Sequence, residues 1–348
     1  MKVVNPPRLV SKIKKNLFLF SAQMRLTNRC NENCIHCLVN KNKNGELNTD
    51  RIKDILCQLR KLGCMEITFT GGEVFLRGDF FEIADFTKRK GMGIYIQSNG
   101  TLVNEKNLKF LKEIRPLDIQ ISLYAIDAKI HDFTTRFKGA FERTMRAIRL
   151  LKENKIPFSI AAIGMRHNFW QLPLLRDTAK IKKWKINFDF IIRPYESGSL
   201  KAPLRHRITD AQIRKAYALD LLPFINKNKK LKLYDKETLC INNIGRTHIF
   251  ISSEGKVFPD VTIRIKIGNL KKDSLYFIWN NSKKINWLRD LTLSDFECSK
   301  CKYLLRCCCE PGLALAEHND LFKRPKELCR FIKHIAQSEK IDELSFNP

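Results

Sequence analysis

The 348-residue sequence has no uninterrupted apolar run of about 18 residues, the length a helix needs to cross a bilayer, so no transmembrane segment is expected. The N-terminal stretch 1–20 holds one short apolar patch, 17–20, with no small-residue cleavage site after it, which argues against a secretory signal. Both absences point to a cytoplasmic protein. Acidic charge is scarce as well: 36 Asp and Glu stand against 64 Lys and Arg, a net charge of +28. A surface this basic could hold nucleic acid, an anionic membrane leaflet or an acidic peptide. No aromatic-glycine RNA-binding signature is present, and the lysines are spread throughout, densest at 180–185 and 226–232. The charge is therefore read as compositional; an acidic peptide is retained as a partner, and neither nucleic acid nor membrane is expected. No internal repeat or low-complexity tract is present.

Cysteine, in contrast, is plentiful. In a reducing compartment twelve cysteines read as metal ligands before disulfides. Cys30, Cys34 and Cys37 lie within eight residues of one another, and six more crowd between Cys298 and Cys329. Cys57 and Cys64 read as core residues on or beside a helix.

Strand-like segments at 22–27, 65–70, 93–97, 117–123, 158–163 and 186–192 alternate with helical ones. In 49–62 the residues Ile52, Ile55, Leu56, Leu59 and Leu62 keep helical spacing, with Thr49 placed to cap the start and Gly63 to end it. The stretch 141–154 behaves alike. Such alternation favours parallel strands with right-handed crossovers, and six units make a partial barrel or an open α/β sheet. In either, ligands gather at the carboxyl ends of the strands. Past 193 the pattern breaks at Pro194, Gly198 and Pro203, and a helix is expected near 209–225. The expected divisions are an extension (1–20), a core (21–195), a linker with a helix (196–235) and a small cysteine-rich region (236–348). That last region is short of apolar core and would need a metal staple.

The run Cys30-Asn-Glu-Asn-Cys34-Ile-His-Cys37 follows the first strand. Three thiolates on one loop can bind three irons of a cubane and leave the fourth open to chelate a small molecule. A zinc knuckle using His36 is the competing reading, but adjacent His36 and Cys37 make poor geometry around one tetrahedral ion. The second strand ends in Gly71-Gly72-Glu73.

Together these motifs resemble the radical S-adenosylmethionine (SAM) superfamily, and the resemblance extends over roughly residues 20–335, notably through the SLY…HD…FERTMRAIRLLKE run. It implies a partial (β/α)6 TIM-like barrel with a small C-terminal Fe–S domain. It also implies a [4Fe-4S] cluster on Cys30, Cys34 and Cys37, with SAM held by Gly71, Gly72 and Glu73, by Ser98 and Asn99, and by Ser122. Arg136 is a candidate for the SAM carboxylate; its alternative is an ordinary exposed arginine. The set Cys298, Cys301, Cys307 and Cys329 resembles the SPASM extension and implies one auxiliary [4Fe-4S] cluster. A zinc ribbon is the alternative, and neighbouring Cys308 and Cys309 leave the third ligand open. Cys240 matches the first ligand of an inner auxiliary cluster, but Asp260 and Pro311 stand where further cysteines are normal. The inner cluster is therefore expected to be absent, with ligation by Asp260 left open. Cys240, freed from iron, becomes a candidate hydrogen-atom donor; otherwise it is a buried thiol without a role.

The implied activity is reductive cleavage of SAM to a 5′-deoxyadenosyl radical that abstracts hydrogen from a substrate, with a flavodoxin or ferredoxin as reductant. The substrate expected is a ribosomally synthesised peptide, to be cross-linked, joined by a thioether or epimerised. Alternatives are a non-peptide small molecule, a sulfatase-type protein, or a non-catalytic Fe–S or zinc scaffold. A molybdenum-cofactor-type cyclase is disfavoured, since the sequence ends Ser345-Phe-Asn-Pro348 without a Gly-Gly tail. No leader-binding domain of adequate length precedes Cys30, so recognition is expected on the barrel itself or through a separate partner.

Overall fold

The computed structural model describes residues 17–39, 45–196, 203–222, 244–304, 307 and 309–338. Six strands run parallel, each beside the next in sequence: β1 (Ser21–Arg25), β2 (Glu66–Thr70), β3 (Gly93–Ser98), β4 (Asp118–Ser122), β5 (Phe158–Ile163) and β6 (Lys185–Asp189). Between them lie α1 (Thr49–Lys61), α2 (Phe80–Arg89), α3 (Glu105–Ile114), α4 (Ala128–Thr135), α5 (Ala140–Glu153) and α6 (Gln171–Lys182). Among the described residues the sheet does not close. β6 is one end, and beyond β1 it continues into β7 (His248–Ile251), which pairs parallel with β1, then antiparallel β8 (Lys256–Phe258) and β9 (Gly268–Asn269).

The two-residue alternation of a strand sorts side chains between the faces. Ala22, Met24, Ile67, Phe69, Ile94, Ile96, Ile119, Ile121 and Ile160 are buried in one core with Ile55, Leu59, Ile83, Leu111 and Ile148 of the covering helices. The opposite face is polar. Gln23, Gln97 and Gln120 join across it, with side-chain hydrogen bonds of 3.1 and 3.2 Å. This face lines the inside of the partial barrel.

The expected six-unit barrel is present, and its differences have local causes. The strand expected at 186–192 stops at Asp189, whose carboxylate accepts a hydrogen bond from the Ile191 amide (2.8 Å) and turns Phe190, Ile191 and Ile192 into the interior. The helix expected near 209–225 is α7 (Asp210–Ala218), started by a Thr209–Gln212 capping box and followed by Asp220 in the left-handed region (φ 55°). β7 was legible only as part of the small region, yet it extends the main sheet. After it come α8 (Leu275–Asn281), α9 (Lys283–Asp290), α10 (Pro311–His318) and α11 (Lys326–Ser338). A second core gathers Phe169, Phe190, Ile213, Leu313, Leu328 and Phe331, tying α10 and α11 to the segments around β6.

Candidate active site

The polar loops at the carboxyl ends of β1 to β6 enclose a cavity of about 430 Å³. Cys30, Cys34 and Cys37 line it, with Gly71 and Gly72 after β2, Ser98 and Asn99 at the end of β3, and Ser122 at the end of β4. The cysteine loop is held from several sides. Glu46 accepts hydrogen bonds from Thr27 Oγ1 (2.7 Å) and the Asn28 amide (3.0 Å). Buried Arg77 donates to the carbonyls of Leu26 (2.8 Å) and Leu47 (2.9 Å) while pairing with Asp79. Asn99 donates to Asn31 (2.9 Å), linking that loop to the end of β3.

Gly72 is required by contact. Its amide donates to the Thr27 carbonyl (2.8 Å), and a Cβ there would fall 2.3 Å from the Arg29 carbonyl oxygen. The diglycine turn and the cysteine loop thus share one backbone interface.

Glu73 is fully buried and does not line the cavity. Its carboxylate accepts from Ser98 Oγ (2.9 Å) and the amides of Asn99 (2.8 Å) and Phe75 (3.1 Å), so it sets the position of the Ser98–Asn99 turn. Burial raises its pKa to about 7, against the opposing pull of those donors. Arg136 also stands apart: it is exposed, left-handed (φ 52°) and outside the cavity lining. The neighbouring His131-Asp132 pair is structural. His131 Nδ1 accepts from the Tyr124 amide (3.2 Å), and Asp132 accepts from the amides of Gly139 (2.6 Å) and Phe141 (2.8 Å) at the start of α5.

The donor set fits a cluster better than one ion. Three thiols spread around one shared cavity can each bind a different iron. Burial, then the charges of Glu32 and the other two cysteines, raises the Cys34 thiol pKa. His36 packs edge-on against Tyr124 (4.9 Å between rings), and burial, aided by His167 and His206, lowers its pKa to about 3. It sits there as a neutral aromatic wall.

A second cysteine group lines a small cavity: Cys298, Cys301, Cys307 and Cys329, with Cys309 among them. A hydrogen bond with Cys309 is the main cause lowering the Cys298 pKa, while burial raises that of Cys329 to about 11. Asp260 folds its own turn, accepting from the Thr262 amide (2.7 Å) and hydroxyl (2.6 Å). Pro311 opens α10. Cys240 and Cys308 lie outside the described residues. Cys57 and Cys64 sit on and just beyond α1; Cys64 is fully buried, its pKa raised by burial to about 12, and Cys57 is half-buried.

Residues 24–177 match the radical SAM superfamily, and residues 240–302 match the SPASM iron-sulfur cluster-binding domain. The chain carries a radical SAM domain followed by a SPASM domain. As a radical SAM superfamily enzyme it is similar to an AdoMet-dependent heme synthase of Methanosarcina barkeri, at 26% identity over 88% of this chain and 91% of the relative. It is 32% identical to the mycofactocin maturase MftC of Mycolicibacterium smegmatis over 49% of this chain and 45% of the relative. Streptococcus suis SuiB, solved with its precursor peptide SuiA, shares the fold: TM-score 0.70, 16% identity, with coverage of 93% of this chain and 79% of SuiB.

Sequence motifs did not single out the rest of the radical SAM cavity. Gln97, Gln120, Asn187, Phe188 and Asp189 also line it. Strand alternation was the available signal: Gln97 and Gln120 occupy the same face as their strand neighbours Tyr95 and Ser122. The exposure of Lys185, Asn187 and Asp189 on an open barrel side could not be read from composition.

Proposed function

We propose that this enzyme binds a [4Fe-4S] cluster on Cys30, Cys34 and Cys37, cleaves SAM reductively, and abstracts hydrogen from a ribosomally synthesised peptide. When bound, such a cluster supplies the electron that splits SAM into methionine and a 5′-deoxyadenosyl radical. The chain's own contribution is placement. The Gly71–Gly72 backbone offers a close approach to a ligand, Glu73 aligns Ser98 and Asn99, and Ser122 stands on the adjacent strand end. Ala161, Ile163 and Phe188 give the far wall an apolar surface that limits water around a reactive radical.

Cavity size together with its open side carries the peptide reading. About 430 Å³ lies near the low end of the roughly 300–1,000 Å³ typical of ligand sites. Cluster and SAM together would fill most of that volume, so the bulk of a substrate would lie outside it, along the exposed edge at β6. SuiB, solved with its precursor peptide, and the mycofactocin maturase support the same reading. A SPASM set of Cys298, Cys301, Cys307 and Cys329 would hold one auxiliary [4Fe-4S] cluster. With Asp260 committed to its own turn, no inner cluster is assigned, and Cys240 remains a candidate hydrogen-atom donor. A flavodoxin or ferredoxin would supply the electron, and the enzyme would work in the cytoplasm.

The heme synthase similarity, which extends over most of the chain, favours a second reading with a tetrapyrrole substrate. Mass spectrometry separates the two. Reconstituted enzyme, SAM and dithionite are incubated with peptides encoded by short reading frames beside its gene, and in parallel with a porphyrin. A peptide changed by −2 Da, or carrying solvent deuterium at one residue, supports the peptide reading. Porphyrin turnover with every peptide unchanged replaces it.

A further inference from the structure

The substrate's docking strand can be placed on the structure, and this placement rests on the peptide reading above. We propose that an acidic segment of the peptide pairs with β6 as an additional strand. Its carboxylates would meet Lys180, Lys182, Lys183 and Lys185, and its reacting residue would enter the cavity past Asn187 and Asp189.

Four observations converge here. β6 is an edge of the sheet among the described residues, and at five residues it spans about 17 Å, whereas the opposite edge, β9, has only two residues. Along β6, Lys185, Asn187 and Asp189 are exposed while Ile186 and Phe188 are half-buried, so the strand is open on its barrel face as well as at its edge. Asn187, Phe188 and Asp189 also line the cavity. An extended peptide on this edge would therefore present alternate side chains to the site without a further turn. Finally, four exposed lysines occupy the six positions from 180 to 185, at the amino end of β6, and none forms an ion pair among the described residues.

An edge lysine also discourages self-association, and this could account for Lys185 alone. It does not account for the whole strand. The carboxyl end carries Asp189, paired with Arg193 at 3.5 Å, whereas the four lysines at the amino end have no acidic partner among the described residues. A docked peptide would be acidic at that end and free of such demand at the reacting end. Protein edges that recruit peptides draw affinity from backbone hydrogen bonds and specificity from alternate side chains, which matches this division.

The probe is a fluorescein-labelled 16-residue peptide of alternating Glu and Val, with a Lys–Val peptide as control, offered to the full-length reconstituted enzyme. The expected result has three parts. The acidic peptide binds and the basic one does not. Amide exchange across 185–189 slows at least tenfold on binding. Lys182→Glu/Lys183→Glu/Lys185→Glu weakens affinity at least tenfold. Absence of binding, protection confined to another segment, or affinity untouched by charge reversal overturns the docking proposal. SAM cleavage by the same wild-type preparation is read separately: its loss would count against the enzyme reading, while intact cleavage without β6 protection would count against docking alone.

Discussion

Glu73 shows how a residue outside the cavity can govern it. It holds Ser98 and the Asn99 amide at 2.9 and 2.8 Å, and burial places its pKa at about 7 against the usual 4.5. Between pH 4.5 and 7 the folded chain keeps a proton that the unfolded chain has lost, so this group's contribution to stability falls as pH rises. Below 4.5 both states are protonated, above 7 both are ionised, and the contribution is flat. The change is on the order of 3 kcal/mol. Urea unfolding of apo wild type and Glu73→Gln should show their stability difference shifting by that amount between pH 4.5 and 7, and not between 7.5 and 9. The substitution also points an amide N–H toward Ser98 and Asn99, which should weaken SAM binding about tenfold while leaving iron content unchanged. His131 slopes the other way. Burial lowers its pKa to about 4, so protonation of the unfolded chain drains stability as pH falls below 6.5. The two slopes oppose each other, which is why a difference curve is needed.

At the scale of elements, the diglycine turn and the cysteine loop stand or fall together. A Cβ at position 72 meets backbone rather than a yielding side chain, at 2.3 Å. Gly72→Ala should cost about 1–3 kcal/mol, the usual range for overpacking, and should lower iron retained at the N-terminal cysteines, measured by iron per chain and unfolding midpoint. A second joint ties α11 to the barrel. Arg207 reaches Glu317 at 2.8 Å and Glu327 at 3.2 Å, and both carboxylates are nearly inaccessible (4% and 3% exposed). Arg330 also pairs with Glu327, at 2.8 Å. Removing Arg207 leaves Glu317 without that partner in a buried setting. Arg207→Ala should therefore destabilise by about 3–5 kcal/mol in urea, with Arg207→Lys intermediate because one ammonium cannot serve both acids. None of this was legible in sequence, since the partners lie 110 and 120 residues away.

For the whole molecule, what could be read in advance was what repeats locally. Six strand–helix units, the helix at 49–61 and the grouping of Cys30, Gly72, Ser98 and Ser122 at strand ends follow from short-range periodicity and from motifs placed after strands; the cap of that helix is Asn48, which accepts from the Arg51 amide, and not the expected Thr49. Two things depend on distant packing and were not readable: the continuation of the sheet through β7 and the turning of Glu73 away from the cavity; Cys309, left open beside Cys307 in the sequence, lines the C-terminal thiol cavity with it. Arg136, for which the sequence left two readings, is exposed, left-handed and outside the cavity lining.

In the proposed function, three thiols on the first loop support radical cleavage of SAM. The direct measurement is made without oxygen, after reconstitution with iron and sulfide: iron per chain and 5′-deoxyadenosine formed on adding dithionite, for wild type and Cys30→Ala/Cys34→Ala/Cys37→Ala. Wild type should hold about eight irons and the variant about four, with deoxyadenosine abolished. About twelve irons would restore an inner cluster and make Cys240 a ligand. Zinc in place of iron, or deoxyadenosine persisting in the variant, would rule out radical SAM cleavage on these three thiols.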